Sequence, residues 1–265
     1  MTKQPSLFDE NGVRIPYNDL NNQANTPNWD FRFVVPQFFG KSRFAQALSQ
    51  FKRHLPAGSE LPQLNDFYFR FMAIIETVSG REDVCNILNG PCLPLVFAAG
   101  AIKIDLGTYL ENTVLAGVRS AYEGQFAGRP FNIARQVKHQ VNYVPEINFR
   151  LFLEAMDAGP VVAAYFPDAL RSWSILDARR QMETLPQGLR FVLPDVIIHG
   201  HAIIGYPDVM ARDHRVPGND CASNTLQSPA YSLYFEARDD CLVLGRIDDL
   251  AYTFCDFSSG LLLIG

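Results

Sequence analysis

Cysteine is sparse and scattered. Cys85, Cys92, Cys221, Cys241 and Cys255 are the five in the chain. An odd number at irregular spacing excludes a disulfide-stapled scaffold and leaves at least one thiol free. No CxxC pair occurs, so zinc-ribbon and thioredoxin motifs are absent. The expectation is a reducing compartment. Basic charge is also short. Lys and Arg number 23 against 28 Asp and Glu, for a formal net charge of -5, which argues against a nucleic-acid footprint. Long apolar runs are missing as well. The longest, residues 93–102, is interrupted at Pro94 and Gly100 and falls short of the roughly 20 residues that span a bilayer. The opening MTKQPSLFDENGVRIPYNDLNNQ has no apolar h-region, which argues against a secretory signal peptide. These absences predict a soluble, cytoplasmic protein, or one exported without a cleaved signal. P-loop, GxGxxG, HExxH, GxSxG and EF-hand patterns are absent too, which disfavours nucleotide-dependent, zincin and serine-hydrolase chemistry.

What is present suits a folded chain. Of 265 residues, 48% are apolar and 19% charged, enough to bury a sizeable core. Residues 1–28 are rich in Asn, Gln, Asp and Pro and read as a flexible or surface-wrapping arm. Residues 29–265 read as one domain, helical over 29–158 and β-rich over 159–265. Alternating Trp29, Phe31, Phe33 and Val35 predict a short strand. Apolar stripes predict helices over residues 41–55 and 64–78, the second buried on two sides. Asp105 is an N-cap candidate for a helix to about residue 122. Residues 131–144, with Arg135, Lys138 and His139, read as a solvated helix, and 146–157 as another. Residues 160–166 read as a buried strand and 168–185 as an amphipathic helix. Strands are then expected at residues 189–193, 195–206, 231–237, 241–247, 250–254 and 261–264, with a long irregular stretch over 207–229. Helices first and strands afterwards predict an α+β fold, a helical N-terminal half packed on a mostly antiparallel C-terminal sheet.

The most strand-like run is VIIHGHAIIGYPD, residues 196–208. In a strand, His199 and His201 share one face, and Gly200 between them would admit another backbone or a substrate. Cys92 follows the turn Asn89-Gly90-Pro91 and opens an apolar segment, as strand or buried helix. At a helix N-terminus its thiolate would be stabilised. A histidine in reach completes a nucleophile–base pair, and a third polar group orients the imidazole. Asp220 or Asn219 could supply that group, and Asn86 could donate to an oxyanion. Each has a plainer reading: Cys92 as a small buried hydrophobe, the histidines as satisfied structural groups, the others as turn formers. An HxH pair could also ligate zinc, but His214, Asp208 and Asp213 are the only further candidates, so no metal or other cofactor is expected.

Gly-Pro-Cys before an apolar segment, then an apolar strand, then His201-Ala202-Ile203-Ile204-Gly205-Tyr206 resembles the papain-like cysteine peptidase superfamily, notably its bacteriocin-leader-processing branch. The spacing from histidine to Gly-Tyr is one residue shorter than in that branch, and Asn86 stands in at best for its oxyanion glutamine. The match covers about 50 residues in three pieces. The resemblance implies attack by a Cys92 thiolate on a peptide or amide carbonyl of a peptide or protein substrate. His201 would serve as base and then acid, Asp220 or Asn219 would orient it, and Asn86 would join the oxyanion site. Hydrolysis and acyl transfer are both compatible. The competing expectation is a non-catalytic interaction or structural subunit. It would dock a protein partner through exposed aromatics, drawn from an aromatic content of 12%, or through the N-terminal arm.

Overall fold

The computed structural model describes residues 6–16, 24–35, 40–100, 106–134, 137, 140–144 and 147–265. The chain is an α+β protein with its helices mainly N-terminal. Lys41–His54 forms α1 because Phe44, Ala47, Leu48 and Phe51 fall on one stripe; Pro56 bars its continuation. Leu64–Ser79 forms α2 and buries Phe67, Phe71, Ile74 and Val78. Phe44 meets Phe67 and Phe71 edge-on at 5.0 and 5.3 Å. The far side of α2 is open rather than buried, with Phe69 62% and Met72 41% exposed.

Leu106–Tyr109 (α3) runs through a π-helical turn, Leu110–Leu115, into Ala116–Gln125 (α4). The helices Ile147–Ala158 (α5) and Ile175–Met182 (α6) flank the strand Val161–Phe166. Two larger sheets follow. Numbered in chain order, the first has β1 (Leu93–Phe97), β4 (Val161–Phe166), β11 (Leu261–Ile264) and β5 (Phe191–Val192), in that spatial order and antiparallel throughout. Its strands are fully buried, which is why they read as continuous apolar runs. The second has β10 (Phe257–Ser258), β6 (Gly218–Asp220), β8 (Ser232–Ala237), β9 (Leu242–Ile247) and β2 (Phe131–Ile133), antiparallel at its centre and parallel at both outer pairs. The pair β3 (Val141–Tyr143) and β7 (Asn224–Leu226) is antiparallel.

Several expectations need correction. Residues 196–208 hold no strand: Val196–Gly205 is an α-helix, α7, followed by the short α8, Pro207–Met210. Asp195 caps α7, its Oδ1 accepting from Ile198 N at 2.7 Å. All ten residues of α7 are buried, so it lacks the polar face that marks a helix in sequence. A Cβ on Gly200 would lie 2.3 Å from Val114 Cγ1, one on Gly205 2.7 Å from the Phe51 ring, and one on Gly117 2.8 Å from Ile204 Cδ1. Gly200 therefore admits the π turn rather than a substrate. Residues 29–35 form no strand, and 250–254 is a turn. The 131–144 stretch begins and ends in strands rather than forming one helix, and α6 covers only part of 168–185. The irregular stretch 207–229 contains α8, β6 and β7. The expected cap at Asp105 and solvated face of Arg135, Lys138 and His139 lie outside the described residues. Within 6–16, Phe8 and Arg14 are buried. No described helix is long and apolar enough to cross a membrane.

Candidate functional site

Cys92 does not open a helix; it immediately precedes β1. It is half-buried and packs against the core. His201 lies on α7 with its ring 4.8 Å from Phe97 and 6.1 Å from Phe51. Phe97 closes β1, five residues beyond Cys92 and about 16 Å along an extended strand. Tyr206, at the C-terminal end of α7, hydrogen-bonds the Pro94 carbonyl at 2.7 Å, so α7 runs antiparallel to β1. His201 thus sits toward the end of β1 away from Cys92. On a helix, His199 and His201 are about 200° apart and face opposite ways. His199 meets the other layer: its Nε2 donates to the Asp220 carbonyl at 3.0 Å, and its Nδ1 accepts from Tyr165 Oη at 2.9 Å. Asp220 therefore contacts His199 through its backbone, not His201 through its carboxyl. Asn219 donates to the Pro217 carbonyl at 3.3 Å. Asn86 sits in a 3₁₀ turn, Cys85–Asn89, and donates to the Phe8 carbonyl at 3.0 Å, tying down the N-terminal segment. Of the metal candidates, Asp208 pairs with Arg43, Asp213 with Arg212 and His214 with Asp239.

Electrostatics at Cys92 and His201 favour neutral forms. Burial pushes the Cys92 thiol well above its ordinary value and lowers His201 to about 4. His201 Nδ1 donates to the Ile197 carbonyl at 2.9 Å, and its buried Nε2 has no partner among the described residues. A thiolate–imidazolium pair needs the reverse shifts. Iodoacetamide at neutral pH should accordingly leave Cys92 unlabelled in the native protein and label it on unfolding, because the thiolate is the nucleophile and burial disfavours it. Peptide mapping of the alkylated protein reads this directly. Preferential labelling of Cys92 in the native state would restore the thiol chemistry.

A buried polar belt that sequence patterns did not expose lies beneath the start of α7. Asn224 Oδ1 accepts from Val196 N at 2.7 Å. Arg179 donates to the carbonyls of Ala222 and Asn224 at 2.8 and 3.0 Å. The Tyr143 hydroxyl neighbours the Asp195 carboxyl. Burial raises Asp195 to about 7, partly offset by the Ile198 N–H. Asp195 and Asn224 are buried, Arg179 and Tyr143 half-buried, and together they pin the helix.

The outer face of the five-stranded sheet is different. Tyr234 on β8 stands opposite Gly245 on β9 and Asp220 on β6, while Phe257 pairs with Gly218. A Cβ on Gly245 would lie 2.3 Å from the Tyr234 ring, and one on Gly218 2.5 Å from the Phe257 ring. The two glycines are the seats on which these rings lie flat. After β9 the chain turns at Asp249, which accepts from Ala251 N at 3.0 Å, and returns to β10. That return brings Tyr252 and Phe254 over the sheet. Ring centroids step from Tyr252 to Phe254 at 4.6 Å, Phe254 to Phe257 at 5.0 Å and Phe257 to Tyr234 at 5.5 Å. These rings line an open groove of about 490 Å³. Its polar lining is Glu236, Asp248, Asp249 and Asp256 against Arg238 and Arg246. Tyr252 is 57% and Phe254 37% exposed. Of the residues singled out from sequence, Asp220 alone faces this side. The Tyr252-x-Phe254-x-x-Phe257 spacing was the available signal for the rest.

Fold and site together define an α+β protein with an acidic, aromatic-lined surface groove. No family model, curated protein or solved structure matches the chain.

Proposed function

We propose that this chain is a non-catalytic binding protein that docks a basic segment of a protein partner on the outer face of its five-stranded sheet. One observation carries this: a continuous row of four rings, two of them exposed, inside a groove with four carboxylates and two guanidiniums. Exposed aromatics offer large contact area at low entropic cost, and interface energy concentrates on such residues. The excess of carboxylates selects a partner segment of positive charge. This reading is preferred to a Cys92–His201 hydrolase because both of those side chains are held neutral and apart along β1. An array of peptides of equal length and graded net charge, probed with the full chain, tests it. Retention is expected on the positively charged peptides, reduced at least about tenfold by Tyr252→Ala/Phe254→Ala. The melting temperature should hold, since both side chains are exposed. Equal retention of the two proteins, or retention on no peptide, would overturn the reading.

A further inference from the structure

We infer that the groove seats one cationic side chain of the partner, an ammonium group held against the Tyr252 and Phe254 rings with the Asp256 carboxylate as its counter-ion. This rests on the docking reading above and specifies its chemistry. The carboxylates are not equivalent. Glu236 accepts from Arg238 Nη2 at 2.8 Å, Asp248 accepts from Arg246 Nη2 at 3.0 Å, and Asp249 accepts a backbone N–H. Asp256, half-buried between Phe254 and Phe257 in the chain, carries no ion pair or side-chain hydrogen bond among the described residues. Unlike Asp249, which turns one oxygen onto the Ala251 N–H, it has both oxygens uncommitted among the described residues. Beneath it a second unmet acceptor is built in. Asp220 shares the face of Tyr234, is 2% exposed, and leaves Oδ1 without a partner. The Asp256 charge is close enough to add to burial in raising the Asp220 pKa to about 8. The Asp256 carboxylate beside a row of π-faces makes a local field that a cation relieves. Ring faces attract an ammonium within about 6 Å of a centroid. The same sheet already shows the interaction, with the Arg246 guanidinium 4.3 Å from the Tyr231 ring centroid. A lysine ammonium fits as a compact charge with donors and no acceptor, facing one free carboxylate and two ring faces.

The experiment uses the full chain and one peptide that binds in the array, synthesised in three forms. The central residue is lysine, Nε-acetyl-lysine or norleucine, which removes the charge while keeping the stem. Titration calorimetry should give at least about tenfold weaker binding for both neutral forms. Asp256→Asn should weaken the lysine form to the same level while leaving the norleucine form unchanged, a pattern that a merely structural Asp256 would not produce. If norleucine binds as tightly as lysine and Tyr252→Ala/Phe254→Ala still abolishes binding, this inference falls and docking stands. If the double substitution leaves binding of all three forms intact, docking falls and takes this inference with it.

Discussion

Gly200→Ala should destabilise the protein by about 1–2 kcal/mol, and the same change made in a Val114→Ala background should cost nothing. In an exposed helix the first change would help, since Ala is favoured over Gly by about 1 kcal/mol. Here the new methyl would lie 2.3 Å from Val114 Cγ1. Valine is branched at Cβ and has little rotamer freedom to withdraw. Overpacking of this kind costs about 1–3 kcal/mol, so the clash outweighs the propensity gain. Val114→Ala alone should also destabilise, by about 0.8 kcal/mol for each methyl-sized group removed. In the double variant the Gly200→Ala methyl occupies the space that Val114→Ala vacates. The double variant should match or exceed Val114→Ala alone, giving a coupling of at least about 1 kcal/mol of opposite sign to the single losses. Urea midpoints at constant m-value measure it. Additive losses would mean that α7 does not pack on the π turn as described.

The same glycine shows how far the sequence could be read. The stripe of α1 was legible because that helix buries one side and leaves the other in water; α2, apolar nearly all round in sequence, gave no sign that Phe69 and Met72 face outward. α7 was not legible, because it is buried on every side. Val196, Ile197, Ile198, Ile203 and Ile204 are strand-formers by local preference, and tertiary burial overrides it. The error propagated to the candidate site. A period of two puts His199 and His201 on one face; a period of 3.6 sends one to Phe97 and the other to Tyr165 and Asp220. The α+β class survived because it depends on the order of elements rather than on any one of them. The groove was legible only as an unplaced aromatic surplus. Its position depends on which glycine stands across from which ring, Gly245 from Tyr234 and Gly218 from Phe257, and such pairing is not local in sequence.

Stability should fall as pH rises from about 6.5 to about 8, and Asp220→Asn should remove much of that fall. Burial raises Asp195 to about 7 and Asp220 to about 8 from an ordinary 3.8. Between the unfolded and folded values each carboxyl holds a proton in the native state that the unfolded chain has released. Stability is therefore lost with rising pH across that window. His199 and His201 act in the opposite sense. Burial lowers both to about 4 from 6.5, so the unfolded chain binds protons that the native state refuses, and their contribution is lost as pH falls from 6.5 toward 4. Buried carboxyls and histidines therefore oppose one another over that acid range. Above 6.5 the histidines no longer differ between states, and the carboxyls act unopposed. Each pH unit over which one carboxyl differs is worth about 1.4 kcal/mol, so Asp220 alone contributes about 2 kcal/mol between pH 6.5 and 8. Asparagine keeps the shape and removes the ionisation. Chemical denaturation of both proteins should show a difference in favour of Asp220→Asn that widens by about 1.4 kcal/mol per pH unit from pH 5 to about 8. Parallel curves would place the Asp220 carboxyl in water, and with it would go the buried floor beneath Tyr234.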